Sequence, residues 1–259
     1  MEIGLTGKNA LVCGSSQGIG RAAAEALARN GARVTLLARD RDTLASVAQS
    51  LDGAAHDFLT ADFDDPEQVR RVVAEYLNSS APFHILVNNT GGPKAGEIVE
   101  AQGDEFLLAF KRHLVCNQLL AQALLPGMKA AGYGRIVNIA STSVREPIRG
   151  LGVSNTIRGA VASWAKTLAR EVAPDGVTVN NVLPGYTDTA RLRSLINTRA
   201  EATGQTVEQV TQSWVDVIPT GRFASPAEIA VAIAFLASPA ASYITGVSLP
   251  VDGGRIAAI

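Results

Sequence analysis

The feature that most constrains this chain is a repeated alternation of short, β-branched apolar runs with longer stretches of helical period. Asn9–Cys13 precedes Ile19–Asn30, Arg33–Ala38 precedes Arg41–Leu51, and Asp57–Ala61 precedes Pro66–Leu77. The rhythm continues through Ile85–Asn88, a long helical segment near Phe106–Ala131, Ile136–Ile139, a helix over Ser154–Ala173, and Val177–Val182. A helix opening at Pro226 and ending near Leu236 then leads to a last strand, Ser248–Val251. Such alternation is the sequence trace of βαβ units, because parallel neighbours need a crossover connection. The strand runs are apolar without a polar face, so helices are expected on both sides of the sheet. The expected fold class is therefore α/β, with a doubly wound parallel sheet.

Punctuation supports these boundaries: Gly31 closes the first helix, Asp64-Asp65-Pro66 opens another, and Pro226 sits in the first turn of the last. Residues 188–222 break the rhythm with a polar, partly helical excursion, read as a substrate loop or lid. The 259 residues otherwise fit one domain spanning 1–259, with 47% hydrophobic and 18% charged residues, the balance of a well-packed globular chain. A net charge of −1, spread singly along the chain, disfavours a nucleic-acid partner. No run approaches the roughly 18 apolar residues of a membrane span. Cys13 and Cys116 lie in apolar runs, and the first dozen residues carry no secretory pattern. The expectation is a reduced, cytoplasmic setting.

The first strand runs into Gly14-Ser15-Ser16-Gln17-Gly18-Ile19-Gly20 and then at once into an alanine-rich helix. Glycines there let the backbone turn tightly and approach a pyrophosphate, whose charge rests on the helix N-terminus. The sheet thus reads as Rossmann-type, with Gly14, Ser16, Gln17, Gly18, Ile19 and Gly20 as cofactor contacts. Coenzyme choice falls to the end of the second strand, Leu36-Leu37-Ala38-Arg39. Ala38 leaves room for a 2′-phosphate and Arg39 can grip it with a planar fork, so NADP(H) is favoured over NAD(H). Asp40 beside it is the alternative, as ribose acceptor for NAD(H), with Arg39 then merely solvated.

The spacing of the glycines resembles the short-chain dehydrogenase/reductase family. Asn88-Asn89-Thr90-Gly91, Pro184-Gly185 followed by Thr189, Ile244-Thr245-Gly246 and Val251-Asp252-Gly253-Gly254 extend that resemblance in order along the chain. It is nearest to the 3-oxoacyl-acyl-carrier-protein reductases and their relatives acting on small alcohols and ketones. The resemblance implies that Asp62 meets the adenine, Asn88 the ribose with Gly91 beside it, and Pro184, Gly185, Thr187 and Thr189 the carboxamide side. It also implies a small-molecule carbonyl substrate and a homo-oligomer, dimer or tetramer.

Matching the family's proton-transfer group residue by residue gives an unusual set. Ser141 ends Ile136-Val137-Asn138-Ile139-Ala140-Ser141 and matches the family's Ser. Thirteen positions on, where the family has Tyr, stands Ser154; four further, where it has Lys, stands Arg158; and His113 occupies the place of the Asn. A serine hydroxyl lies far above a tyrosine in pKa, and Arg158 stays charged, so neither relays a proton as the family pair does. Arg158 can still hold the nicotinamide ribose and stabilise a developing alkoxide. Lys94, Tyr186 and His113 are candidate stand-ins for the acid, each with a plainer role as loop, packing or helix residue. Two readings stay open: an atypical NADP(H)-dependent oxidoreductase, or a catalytically inactive nucleotide binder acting as sensor or partner subunit. His56 and His84 read as strand-edge residues, and no metal site is expected.

Overall fold

The computed structural model describes residues 3–53 and 55–258. Seven strands form one parallel sheet: β1 (Asn9–Cys13), β2 (Arg33–Ala38), β3 (Asp57–Thr60), β4 (Ile85–Asn88), β5 (Gly134–Ile139), β6 (Val177–Pro184) and β7 (Ser248–Val251). Their order is β3-β2-β1-β4-β5-β6-β7, so the winding reverses between β1 and β4. The central strands are buried on both faces, as their unbroken apolar sequences require.

One face is covered by α1 (Gly18–Arg29), α2 (Arg41–Ser50) and α9 (Pro226–Ala237), which close a core built on Leu27, Leu36, Leu44 and Ile233. The other is covered by α3 (Pro66–Leu77), α5 (Cys116–Ala130) and α6 (Gly152–Val172), around Phe83, Leu86, Leu120 and Met128. Helix ends follow the local chemistry. Asp65 accepts from the Gln68 amide at the start of α3, and Pro66 behind it has no N–H to leave unpaired. Past the end of α1, Gly31 takes φ +93° while Ala32 N–H reaches back to the Leu27 carbonyl.

Three elements depart from the sequence expectation or refine it. The long helix near Phe106–Ala131 is interrupted: α4 (Gly103–Phe110) passes through one π-helical turn, Lys111–Val115, into α5. Hydrogen-bond register in that turn slips by one residue, a change that no residue type announces. The excursion after β6 folds as a pair of helices, α7 (Ala190–Thr203) and α8 (Val207–Val215), joined through Gly204 in the left-handed region and a Thr206–Gln209 capping box. Leu192, Ile196, Ala200 and Val210 give it a small core of its own against Tyr186, Trp214 and Phe223. Among the described residues no helix is long and apolar enough to cross a membrane.

Candidate active site

The carboxyl ends of the strands open on a cleft of about 740 Å³ at the point where the winding reverses. Gly14, Ser16, Gln17, Gly18 and Ile19 line its β1 side. Gly14 and Gly18 both adopt φ +57°, a conformation cheap only for glycine. Gly20 does not line the cleft. A Cβ there would stand 2.2 Å from the Gly14 carbonyl oxygen and 2.7 Å from Asn89 Nδ2, so this glycine lets α1 close on the loop. The first turn of α1 carries no side-chain cap and no acid, which leaves its amides and positive dipole end for an anion. These features fit the diphosphate of a dinucleotide.

At the ends of β2 and β3 the lining is Ala38, Arg39, Asp40 and Asp62. Arg39 is largely exposed and lies 3.8 Å from the Asp62 carboxylate. Asp40 is committed elsewhere: it caps α2 by accepting from the Thr43 amide at 2.7 Å, and hydrogen bonding from the Thr43 hydroxyl and then from this amide holds its carboxyl below the usual range. Asp64 is paired with Arg112, whose hydrogen bond lowers the carboxyl pKa. Asn88 does not line the cleft: its side chain is buried and donates to Asn138 Oδ1 at 2.8 Å inside the sheet, while its own Oδ1 has no hydrogen-bond partner. Asn89, its neighbour, does line the cleft and donates to the Gly14 carbonyl at 3.2 Å, tying the glycine loop to β4. Thr90, Gly91 and Gly92 continue the lining.

Ser141 and the Ser154–Arg158 pair reach the same cleft from different elements. Ser141 follows β5; its Oγ accepts from the Ser143 amide at 3.1 Å, which leaves the hydroxyl proton free to donate. Ser154 lies in the first turn of α6, and Arg158 follows one turn later on the same side. Arg158 donates to the Ile139 carbonyl at 2.6 Å, which anchors its guanidinium at the mouth of β5. Burial, with Arg191 nearby, pushes its pKa down to about 10, still a cation at neutral pH.

His113 sits in the π turn, buried, and is not part of the cleft wall. Its Nδ1 is 2.7 Å from Thr90 Oγ1, and Thr90 faces the cleft. Burial, then Arg158 and Arg112, hold its pKa well below the usual value, so the ring is neutral. Of the other proposed stand-ins, Lys94 is exposed and lies off the cleft, whereas Tyr186 lines it. The Tyr186 ring stacks on Trp214 at 4.9 Å and lies against Phe223 and Arg255, as a packing aromatic would. Pro184, Gly185, Thr187 and Thr189 complete the β6 wall. Thr189 caps α7 and faces Gly18, placing the start of α7 against the glycine loop. His56 and His84 stay at strand ends, each accepting a strand amide through Nδ1 at 3.1 Å.

Comparison with known proteins gives this geometry a lineage. A family described as enoyl-(acyl carrier protein) reductase matches residues 14–255. The 3-oxoacyl-acyl-carrier-protein reductase of Vibrio harveyi is 35% identical over 252 residues, covering 96% of this chain and 98% of that protein. The chain belongs to the short-chain dehydrogenase/reductase family. Galactitol 2-dehydrogenase of Cereibacter sphaeroides, 35% identical over 252 residues, covers 96% of this chain and 95% of its own length. L-sorbose reductase of Gluconobacter frateurii, solved with NADPH and L-sorbose, superposes with a TM-score of 0.94 at 35% identity over 100% of both chains.

Within this dehydrogenase/reductase frame, sequence reasoning missed Asn89, Thr90 and Arg255 as cleft residues. Arg191, at the start of α7, lines the cleft too and donates to the Pro93 carbonyl, tying α7 to the loop after β4. Arg255 directly follows Gly253-Gly254, whose positive φ angles turn the tail back across the cleft, and it donates to Thr142 Oγ1 at 3.3 Å. That glycine pair was the available signal.

Proposed function

We propose that this chain is an NADP(H)-dependent oxidoreductase interconverting a carbonyl compound and its alcohol, with an atypical proton-transfer group. The observation that carries the reading is that Ser141, Ser154 and Arg158 line the same cleft as the glycine loop. The preference for NADP(H) is supported by Arg39 at the cleft edge and by the commitment of Asp40 to capping α2. When bound, the nicotinamide supplies or accepts a hydride at the substrate carbon. Ser141, with its proton free, and Ser154 orient the carbonyl oxygen by hydrogen bonds. Arg158 stabilises the negative charge that develops on that oxygen, which low dielectric strengthens. The proton that completes the alcohol comes from water, because no lysine lines the cleft and its tyrosine, Tyr186, packs against Trp214. Residues 188–222 act as the lid over the nicotinamide side. The same reading includes a homo-oligomer, for which exposed Leu107 and Phe110 on α4 offer apolar surface.

The second reading, an inactive nucleotide binder, is favoured by the same serine and arginine at positions 154 and 158. One experiment separates the two. Wild type and the double variant S154Y/R158K are mixed with NADPH and a panel of ketones, and loss of the reduced cofactor is followed by absorbance. General acid catalysis is worth about 100- to 10,000-fold, so the double variant is expected to turn over at least tenfold faster than a slow but measurable wild type. Binding of NADPH with no wild-type oxidation of any ketone would establish the silent binder instead.

A further inference from the structure

The carboxylates that line the cleft all stand at its adenosine end, and each has a partner. Asp40 caps α2, Asp62 faces Arg39, and Asp64 is paired with Arg112. The other end holds three guanidinium groups, Arg158 from α6, Arg191 from α7 and Arg255 from the tail. None of the three is in an ion pair among the described residues. The acids nearest in sequence are also committed. Asp252 accepts from the Gly254 and Ile256 amides at 3.1 and 2.8 Å, and Asp188 forks with Arg193. Arg255 Nε is buried with no hydrogen-bond partner, which is costly for a cation unless a ligand completes it. Burial lowers the guanidinium pKa of both Arg158 and Arg191, and the charge of Arg191 lowers that of Arg158 further.

We propose that this end of the cleft recognises a carboxylate on the substrate, with Arg255 as the residue that selects it. The reactive compound is then an oxo acid and its hydroxy acid, the carboxylate gripped by the planar fork and the short carbon chain lying against Ile148, Leu151 and Leu195. This rests on the oxidoreductase reading and names its substrate class. The phosphates of the coenzyme are the other oxyanions within reach. They belong over the glycine loop at the end of β1, whereas Arg158 and Arg255 are fixed at Ile139 and Thr142, beyond β5. Two strand spacings, roughly 10 Å, separate those positions. Arg191 is tied to the loop after β4, the strand between β1 and β5.

The test reads binding rather than turnover. Protein saturated with NADP+ is titrated calorimetrically with pyruvate, acetoacetate and levulinate, and with the methyl ester of each. At least one acid is expected to bind tenfold or more tighter than its ester, and Arg255→Met to abolish the difference. NADP+ affinity is expected to stay within twofold of wild type in that variant, and Arg255→Lys to retain part of the preference. Acids and esters binding alike throughout the series would overturn the proposal, as would a preference that survives Arg255→Met. A tenfold loss of NADP+ affinity in Arg255→Met would also overturn it, by assigning Arg255 to the coenzyme phosphates. If the ketone panel gives no oxidation of NADPH, the oxidoreductase reading fails on its own experiment, and the acid–ester comparison still reports on the arginine site.

Discussion

His113 places a titratable ring at a buried turn, and its environment fixes what that does. Surrounded by apolar atoms and by the charges of Arg158 and Arg112, the imidazole is neutral in the folded protein well below its ordinary pKa of 6.5. The unfolded chain has no such constraint and takes up a proton near that value. Below about pH 6.5 the unfolded state therefore binds more protons than the folded one, and stability falls as pH falls. It is fully present above the unfolded pKa. One such group contributes a slope of up to about 1.4 kcal/mol per pH unit. Urea unfolding at pH 7.5 and 5.5 checks this: His113→Asn is expected to flatten the loss seen in wild type by about that slope. His84, lowered by burial and by Lys8, keeps its smaller contribution in both proteins. Equal slopes for wild type and variant would mean that the ring is not held neutral.

The strands were readable because a parallel strand covered on both faces must be apolar throughout, and β1, β2 and β4 appear at the residues their sequences mark. What links those strands sideways was not readable, since it depends on register. Asn88 donates to Asn138, Asn138 to Asn181 at 2.9 Å, and Asn181 to Ser248 at 3.0 Å, a polar row that crosses β4, β5, β6 and β7 in the core. The pairing places all four residues opposite one another. From sequence alone Asn88 reads as a ligand contact; its place in this row follows only from strand order. Asn138→Leu orphans the Asn88 amide and the Asn181 carbonyl oxygen, each costing about 1–3 kcal/mol when buried. A loss of about 2–6 kcal/mol in urea unfolding is expected. A loss under about 0.5 kcal/mol would show the row to be inert. The π turn and the tail arginine escaped the sequence for a related reason. Both depend on where the chain runs in three dimensions, and neither Lys111–Val115 nor Arg255 has a composition that marks it.

At the scale of the molecule, the cleft is walled by segments far apart in the chain: the glycine loop, the ends of β2 and β3, the start of α6, the start of α7 and the tail. A ligand that spans them binds the folded protein and not the unfolded chain, so binding must raise thermal stability. At one hundred times its Kd, a ligand adds about 2.7 kcal/mol. For a chain of this size each kcal/mol moves Tm by about 2–4 °C, so NADP+ at that excess is expected to raise Tm by about 5–10 °C. NAD+ at the same concentration lacks the 2′-phosphate that Arg39 is placed to grip and is expected to shift Tm less. Arg39→Ala then separates the roles of neighbouring residues. It removes the fork while leaving Asp40 on Thr43 and the glycine loop intact, so the two nucleotides are expected to become equivalent, with NADP+ falling to the level of NAD+. If the gap between them survives in Arg39→Ala, the phosphate is held by another cation, Arg112 being the nearest in the same wall. If neither nucleotide moves Tm in the wild type, the uncapped start of α1 and the turn at Gly14 and Gly18 do not serve a dinucleotide, and the proposed function fails with them.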